Sequence, residues 1–368
     1  MRFYLADLHV DDTLLDEVTR KHLDQMSDFV PMERTLAVGE SDVVFLLHTY
    51  KQDFRFDSDL ASFLSRERKP IVVFDYVETR MRHEPYLLGL FRNPKSLVME
   101  HPEYAKLNEW VAADSSLMRL YFKRELHHYM PPQRVPVLPL EYPAAWGYFF
   151  ETEQKIQTRE EFSDRDIHLS YVWGPSTPAR AVLHGEMMSH YCRHPLITDE
   201  RMLEHVTWQD KVVLLQRPDY LRIPFDEMAG IFARTKIGIS VWGCGQKCIR
   251  DAEVPFNCVL AMQESSHRWS YPWIDGENCI VLPSRRDGTQ QVDTKEAFPK
   301  LDYYLQHVEE LYRIYLQGTE NWRHYRIDTY FRDYVYPEVT LALALGKAQD
   351  TPPSPLGSSA TLSAPHRG

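Results

Sequence analysis

Short apolar runs rich in β-branched and aromatic residues recur along this chain, and polar, helix-compatible stretches long enough for a crossover separate them. MRFYLADL at the start, SDVVFLLHTY (41–50) and KPIVVFDYVE (69–78) are the first three. Between the first two, DDTLLDEVTRKHLDQM carries Leu14, Leu15, Val18 and Leu23 with acids at its start, which predicts an amphipathic helix. Strand, helix, strand in repetition implies a mostly parallel sheet. SLMRLYFKREL (116–126) and VPVLPLEYP (135–143) extend the same lobe.

The pattern lapses around Pro143 to Gln157 and then begins again. IHLSYVWG (167–174) reads as a buried strand, followed by PSTPAR, where Thr177 is placed to cap a helix with Pro178 at its first position. KVVLLQR, TKIGISVWG, CVLAMQE and ENCIVLP continue the series. At 368 residues the chain exceeds one compact core. The expected fold class is therefore α/β with two Rossmann-like lobes, parallel sheets facing a central cleft. The divisions are an N-terminal lobe over 1–145, a second lobe over 146–320, a helix crossing back over 321–347, and a disordered Pro-, Ser- and Gly-rich tail over 348–368.

Composition removes several classes of function. A formal charge of −11 works against a broad basic face for nucleic acid, and no run of eighteen apolar residues offers a membrane span. MRFYLADLHVDD lacks the basic start and cleavage site of a signal peptide, so a cytoplasmic location is expected. The five cysteines, Cys192, Cys244, Cys248, Cys258 and Cys279, lack the second pair a zinc site needs, and are read as reduced thiols.

SVWGCGQKCIRDAEVPFNCVLAM (240–262) runs from one apolar strand into two glycines, then Lys247, Arg250 and Glu253, then a second strand. At the carboxyl end of a parallel strand, Gly243 and Gly245 would let a ligand approach the backbone, and the next helix N-terminus would attract an anion. Lys247 and Arg250 on that first turn make sense if an anion is bound there. Glu253 either pairs with Arg250 or accepts hydrogen bonds from a ribose. G-C-G alone is a weak signature, and an ordinary surface pair at i, i+3 needs no ligand.

GISVWGCGQKCIRDAEVPFNCVLAMQ, with YPWIDGENCIVLP after it, resembles the nucleotide-sugar-binding region of GT-B glycosyltransferases. The likeness is carried by Gly243, Gly245, Arg250, Glu253, Asp275, Gly276 and Asn278. DRDIHLSYVWGPSTPAR is similar to the first strand and turn of that family's C-terminal lobe, which implies donor contacts at Gly174, Ser176, Thr177 and Arg180. YFKRELHHYMPPQRVPVLPLEYP is similar to the end of its N-terminal lobe. The resemblance implies transfer of a sugar from a UDP- or GDP-linked donor to a glycan, lipid-linked, protein or nucleic-acid acceptor, with no metal or other cofactor. No carboxylate stands at Gly245 or Gln246, where retaining members carry the first of two acids.

Lys247 and Arg250 are then the expected diphosphate partners, with Lys123 and Arg124 more distant. A base should come from a strand end of the first lobe, where Asp75 ranks ahead of Glu78 and His48, and Asp7 and His9 follow the first strand. Trp173, Trp242, Trp269, Tyr271 and Trp273 are read as core. Two rivals remain: a non-catalytic bilobal nucleotide- or sugar-phosphate-binding protein, and an NAD-dependent oxidoreductase, which lacks G-x-G-x-x-G after its first strand.

Overall fold

The computed structural model describes residues 1–7, 26–48, 55–75, 106, 109–110, 113–124, 126, 128, 135–141, 154–174, 177–191, 196–197, 204–208, 212–216, 225–243, 246–248, 250–287, 289 and 291–350. The expected helix over 11–26 falls almost entirely outside them, as do Glu78, Ser176, Gly245 and the tail beyond Asp350.

Six strands form the first sheet: β1 (Arg2–Asp7), β2 (Glu33–Thr35), β3 (Val43–His48), β4 (Ile71–Asp75), β5 (Met118–Lys123) and β6 (Val137–Pro139). Every pairing is parallel, in the order β2-β1-β3-β4-β5-β6. β4 is buried at all five positions, as a strand covered on both faces must be, which is why IVVF reads as a continuous apolar run rather than an alternation. Helix α1 (Ser58–Glu67) covers one face; the Asp57 carboxylate accepts from the amides of Asp59 and Leu60 at its N-terminus.

The second sheet holds β7 (Ile167–Trp173), β8 (Leu196–Ile197), β9 (Glu204–Trp208), β10 (Val212–Gln216), β11 (Thr235–Ser240), β12 (Val259–Gln263) and β13 (Ile280–Leu282), in the order β13-β12-β11-β7-β10-β9-β8. β9 pairs antiparallel with both β8 and β10 toward one edge, and the other pairings are parallel. The alternation of strand and crossover thus yields the two α/β units expected. The sequence reading missed β2 and β8, which are short and at sheet edges, and β9, which pairs between β8 and β10. Helix α2 (Pro178–Tyr191) follows β7, and α3 (Phe225–Arg234) precedes β11.

Chain order in this sheet reverses between β7 and β11: β8 to β10 lie on one side of β7, β11 to β13 on the other. The carboxyl ends of β7 and β11 are therefore its topological switch point, where open α/β sheets leave a crevice.

Helices α5 (Thr294–Gln306) and α6 (Val308–Arg323) close the second lobe, after a single turn α4 (Arg250–Glu253) that precedes β12. Gly318 lies where α6 meets the main chain of the turn at Asn278: a Cβ there would sit 2.6 Å from the Asn278 carbonyl oxygen. Gly318→Ala is expected to destabilise the protein by about 1–3 kcal/mol, because backbone cannot give way as a side chain can. An unchanged Tm would show that α6 slides freely over this turn.

Past Trp322 and Tyr325, which are buried in the second lobe, the chain returns to the first. Ile327, Tyr330, Phe331, Val335 and Val339 cover Phe3, Phe45, Phe74 and Phe122 of β1, β3, β4 and β5. Those four rings lie side by side across the sheet with centroids 4.8, 5.2 and 5.1 Å apart, a large apolar face that needs a cover. The cover is continuous through a π-helical stretch at Phe331–Val335 into α7 (Tyr336–Asp350), which runs past the start assigned to the disordered tail. Among the described residues no helix is long and apolar enough to cross a membrane.

Candidate functional site

The carboxyl ends of the two sheets meet. On the first sheet, parallel register sets His48 beside Asp75 and Asp75 beside Lys123, with Asp7 one strand further out beside Leu47. The side chains of Asp7 and His48 lie outside the described part. Asp75 is fully buried; its Oδ2 accepts from Lys123 Nζ at 3.0 Å and from the Tyr121 hydroxyl. Burial first, and the neighbouring Asp75 charge second, push the Tyr121 phenol well above its ordinary range, so that it stays a donor. This corrects the reading of Asp75 as a poised base. A carboxylate enclosed with an ammonium and a phenol hydroxyl on the same oxygen has the setting of an anchor.

Alternation along β5 sends the next residue the other way. Arg124, 1% exposed, donates from its main chain to Asp75 O at 2.9 Å and from Nη2 to Lys247 O in the second lobe. Lys123 and Arg124, ranked as remote candidates by sequence, are thus at the centre of the junction.

Lys247 does not present its ammonium to an open cradle. It is buried, with Nζ 2.8 Å from Glu141 Oε1, 3.2 Å from Leu140 O and 4.9 Å from the Trp269 ring centre. The loop around it is equally engaged. Gln246 Oε1 accepts from Ser266 N at 2.9 Å and Ser265 Oγ at 3.2 Å, and lies 2.6 Å from His267 Nδ1. The Cys248 amide donates to Asp251 Oδ2 at 2.7 Å, and Ser240 Oγ donates to Oδ1 of the same carboxylate at 2.7 Å. Sequence reading missed Asp251; nothing in RDAE marks its carboxylate as the one that holds the loop. It also missed Glu141, Ser270 and Tyr330.

The expected helix after this loop is a single turn, Arg250–Glu253, passing into a 3-10 turn at Val254–Phe256 because Pro255 cannot continue it. One turn carries little dipole, which corrects the expectation of a strong anion site at its start. Arg250 Nη1 lies 2.7 Å from Glu253 Oε2, an ion-pair distance off the line of a hydrogen bond, and Nη1 also reaches Met228 Sδ. Burial raises the Glu253 carboxyl against the pull of Arg250. Of the two roles left open for Glu253, the pair with Arg250 is the one seen.

The D-G-E-N stretch at 275–278 forms a turn. Gly276 has φ +69°, Asn278 Oδ1 accepts from Ile274 N at 2.7 Å, and Asp275 Oδ1 from Val281 N at 2.8 Å.

The switch point itself is different in character. Arg180, one turn into α2, lays its guanidinium across the ends of both central strands, with Nε 3.0 Å from Trp242 O, Nη2 2.9 Å from Val241 O and Nη1 3.4 Å from Gly174 O. Gly174 and Gly243 flank it, and a Cβ at Gly174 would meet nothing within 4 Å. Helix α2 begins at Pro178 as its sequence predicts, but Thr177 makes no side-chain cap: its Oγ1 is buried and has no hydrogen-bond partner among the described residues. The fourteen-residue α2 thus starts at the switch point with a guanidinium and the Thr177 hydroxyl beside it.

Trp173 and Trp273 are core, as expected, the latter stacked on Tyr325 at 5.4 Å. Cys248, Cys258 and Cys279 are free thiols. Among the described residues no group of three or more His, Cys, Asp or Glu is placed to hold a metal ion.

No protein-family model and no curated protein matches the chain. Solved structures that align with it include an α,α-trehalose-phosphate synthase (UDP-forming) from Burkholderia vietnamiensis, at 9% identity over 90% of this chain and 78% of that one, TM-score 0.48. Another from Burkholderia xenovorans, in complex with glucose-6-phosphate, aligns at 11% identity over 89% and 79%, TM-score 0.44. A GtfA/B complex aligns at 13% identity over 83% of this chain and 57% of that one, TM-score 0.41.

Proposed function

We propose that this protein is a GT-B-type glycosyltransferase. Residues 146–320 would hold a UDP- or GDP-linked sugar donor and residues 1–145 would face the acceptor, without a metal. The observation that carries the reading is the β7/β11 switch point, where Thr177 Oγ1 is buried at the start of α2 without a partner among the described residues and Arg180 supplies positive charge. A helix N-terminus with a spare hydroxyl and a guanidinium suits a phosphate, and the adjoining Gly174 and Gly243 leave the backbone approachable. In that arrangement the helix start and Arg180 stabilise a departing diphosphate. The acceptor class stays open among glycan, lipid-linked, protein and nucleic-acid hydroxyl or base.

Thr177→Val tests the site with little disturbance to the fold, since the hydroxyl has no hydrogen-bond partner among the described residues. Stability should change by less than about 0.5 kcal/mol, while binding of UDP or GDP weakens roughly tenfold. Equal binding by wild type and variant, in a calorimetric titration, removes Thr177 from the site.

One observation favours a second reading, a bilobal protein that binds a nucleotide or sugar phosphate without catalysis: the carboxylate ranked first as base, Asp75, is enclosed and paired. A panel of UDP- and GDP-sugars separates the two. Sugar release or transfer supports the transferase; a raised Tm with no release supports the binding protein; no shift with any of them overturns both.

A further inference from the structure

Glu141 stands just beyond β6 in the first lobe, its side chain 3% exposed. Its carboxylate accepts from Lys247 Nζ at 2.8 Å, from Ser270 N at 3.0 Å, from Ser270 Oγ, and from the Tyr330 hydroxyl at 2.9 Å. The donors come from three separate pieces of chain. Lys247 follows β11, Ser270 follows β12, and Tyr330 belongs to the segment that crosses back between the lobes. The Tyr330 oxygen in turn accepts from Glu141 N at 3.2 Å, so backbone and side chain are both held.

Beside this node two main-chain hydrogen bonds join the lobes directly, His128 N to Ser266 O at 3.0 Å and Arg268 N to Leu126 O at 2.7 Å. The cavity lined by Glu141, Lys247, Asp251 and Tyr325 measures about 10 Å³, the scale of one water. Ligand pockets are typically about 300–1,000 Å³. Nothing the size of a nucleotide enters here unless the lobes part.

We propose that Glu141 is the clasp between the two lobes, an internal anion that occupies Lys247 and Ser270 and must release them before the lobes separate. A buried carboxylate with its lone pairs filled by an ammonium, an amide and two hydroxyls is stable only while all of these stay together. Loss of one leaves charge unpaired in a dry site. Opening therefore breaks the set as a unit, and the crossing segment is drawn in through Tyr330. Lys247 becomes available to an external anion only in the opened state. The inference does not depend on whether the protein transfers sugar.

Amide hydrogen exchange on the full chain reads the clasp without any ligand. In Glu141→Gln, which keeps size and shape, the amides of His128 and Arg268 should exchange roughly 30-fold faster or more, while those of Val44 in β3 and Val213 in β10 change less than about threefold. Ser270→Ala, a milder change that removes one hydroxyl donor, should accelerate the same two amides severalfold and leave the strands alone. The clasp is overturned if the interlobe amides do not respond, or if the strand amides accelerate by the same factor. Should Glu141→Gln fail to fold, Ser270→Ala decides by the same criterion. Since no nucleotide takes part, failure of the clasp and failure of the Thr177 site are distinguishable.

Discussion

Lys123→Met should destabilise the protein by about 3–5 kcal/mol, the largest effect expected of any single substitution at the junction. Both Lys123 and Asp75 are wholly excluded from water, and their charges are 3.0 Å apart. Methionine fills most of the volume of the lysine stem, so little of the loss arises from packing. The cost is that of a carboxylate left in a low-dielectric site with a phenol and its other neighbours but no opposite charge on Lys123 to balance it. Asp75→Leu alone strands the ammonium and should cost a similar amount. Combining Asp75→Leu with Lys123→Met removes both charges, and the double variant should lie within about 1–2 kcal/mol of wild type, far from the sum of the singles. Urea denaturation of the four proteins measures this cycle directly. Near-additivity would mean that the pair is not what neutralises Asp75, and would reopen its role as a base.

The same residues show what a sequence can and cannot disclose. β4 was legible because a strand covered on both faces reads as an apolar run, as IVVF does, and β7 because Ile167, Leu169, Tyr171, Val172 and Trp173 are apolar or aromatic and buried despite His168 and Ser170. β9 was not: EHVTW alternates weakly, and its place is fixed by antiparallel pairing with β10, a long-range partner no local pattern names. At the junction, the strand ending at Trp173 and the helix starting at Pro178 were legible because a strand, turn and helix start are local events, although Thr177 makes no side-chain cap among the described residues. The pairing of Lys247 was not legible, since its partner Glu141 is 106 residues away and belongs to the other lobe. The single turn at Arg250–Glu253 was overestimated as a helix because Pro255 was passed over as a stop. Local chemistry was therefore readable, and the pairing across lobes was not.

Asp251→Asn should stabilise the protein above pH 6 by up to about 3 kcal/mol and have no such effect near pH 4. Burial pushes the Asp251 carboxyl up to about 6, although the Cys248 amide, the Ser240 hydroxyl and the charges of Arg124 and Arg180 pull it down. In the unfolded chain it returns to the ordinary aspartate value of 3.8. Below about pH 4 the group is protonated in both states and contributes nothing to the difference. Between about 4 and 6 the unfolded chain ionises first, so stability falls as pH rises, and above 6 the penalty is complete. Asparagine can keep the geometry, with its carbonyl accepting from Cys248 N and its amide donating to Ser240 Oγ, so these contributions do not vary with pH. The difference between variant and wild type in urea unfolding therefore isolates one carboxyl among many. A difference that is flat from pH 4 to 7 would show that the loop joining β11 to α4 opens enough to let water reach Asp251. In that case the network that fixes Cys248 and Lys247 in place would be far looser than its hydrogen bonds imply.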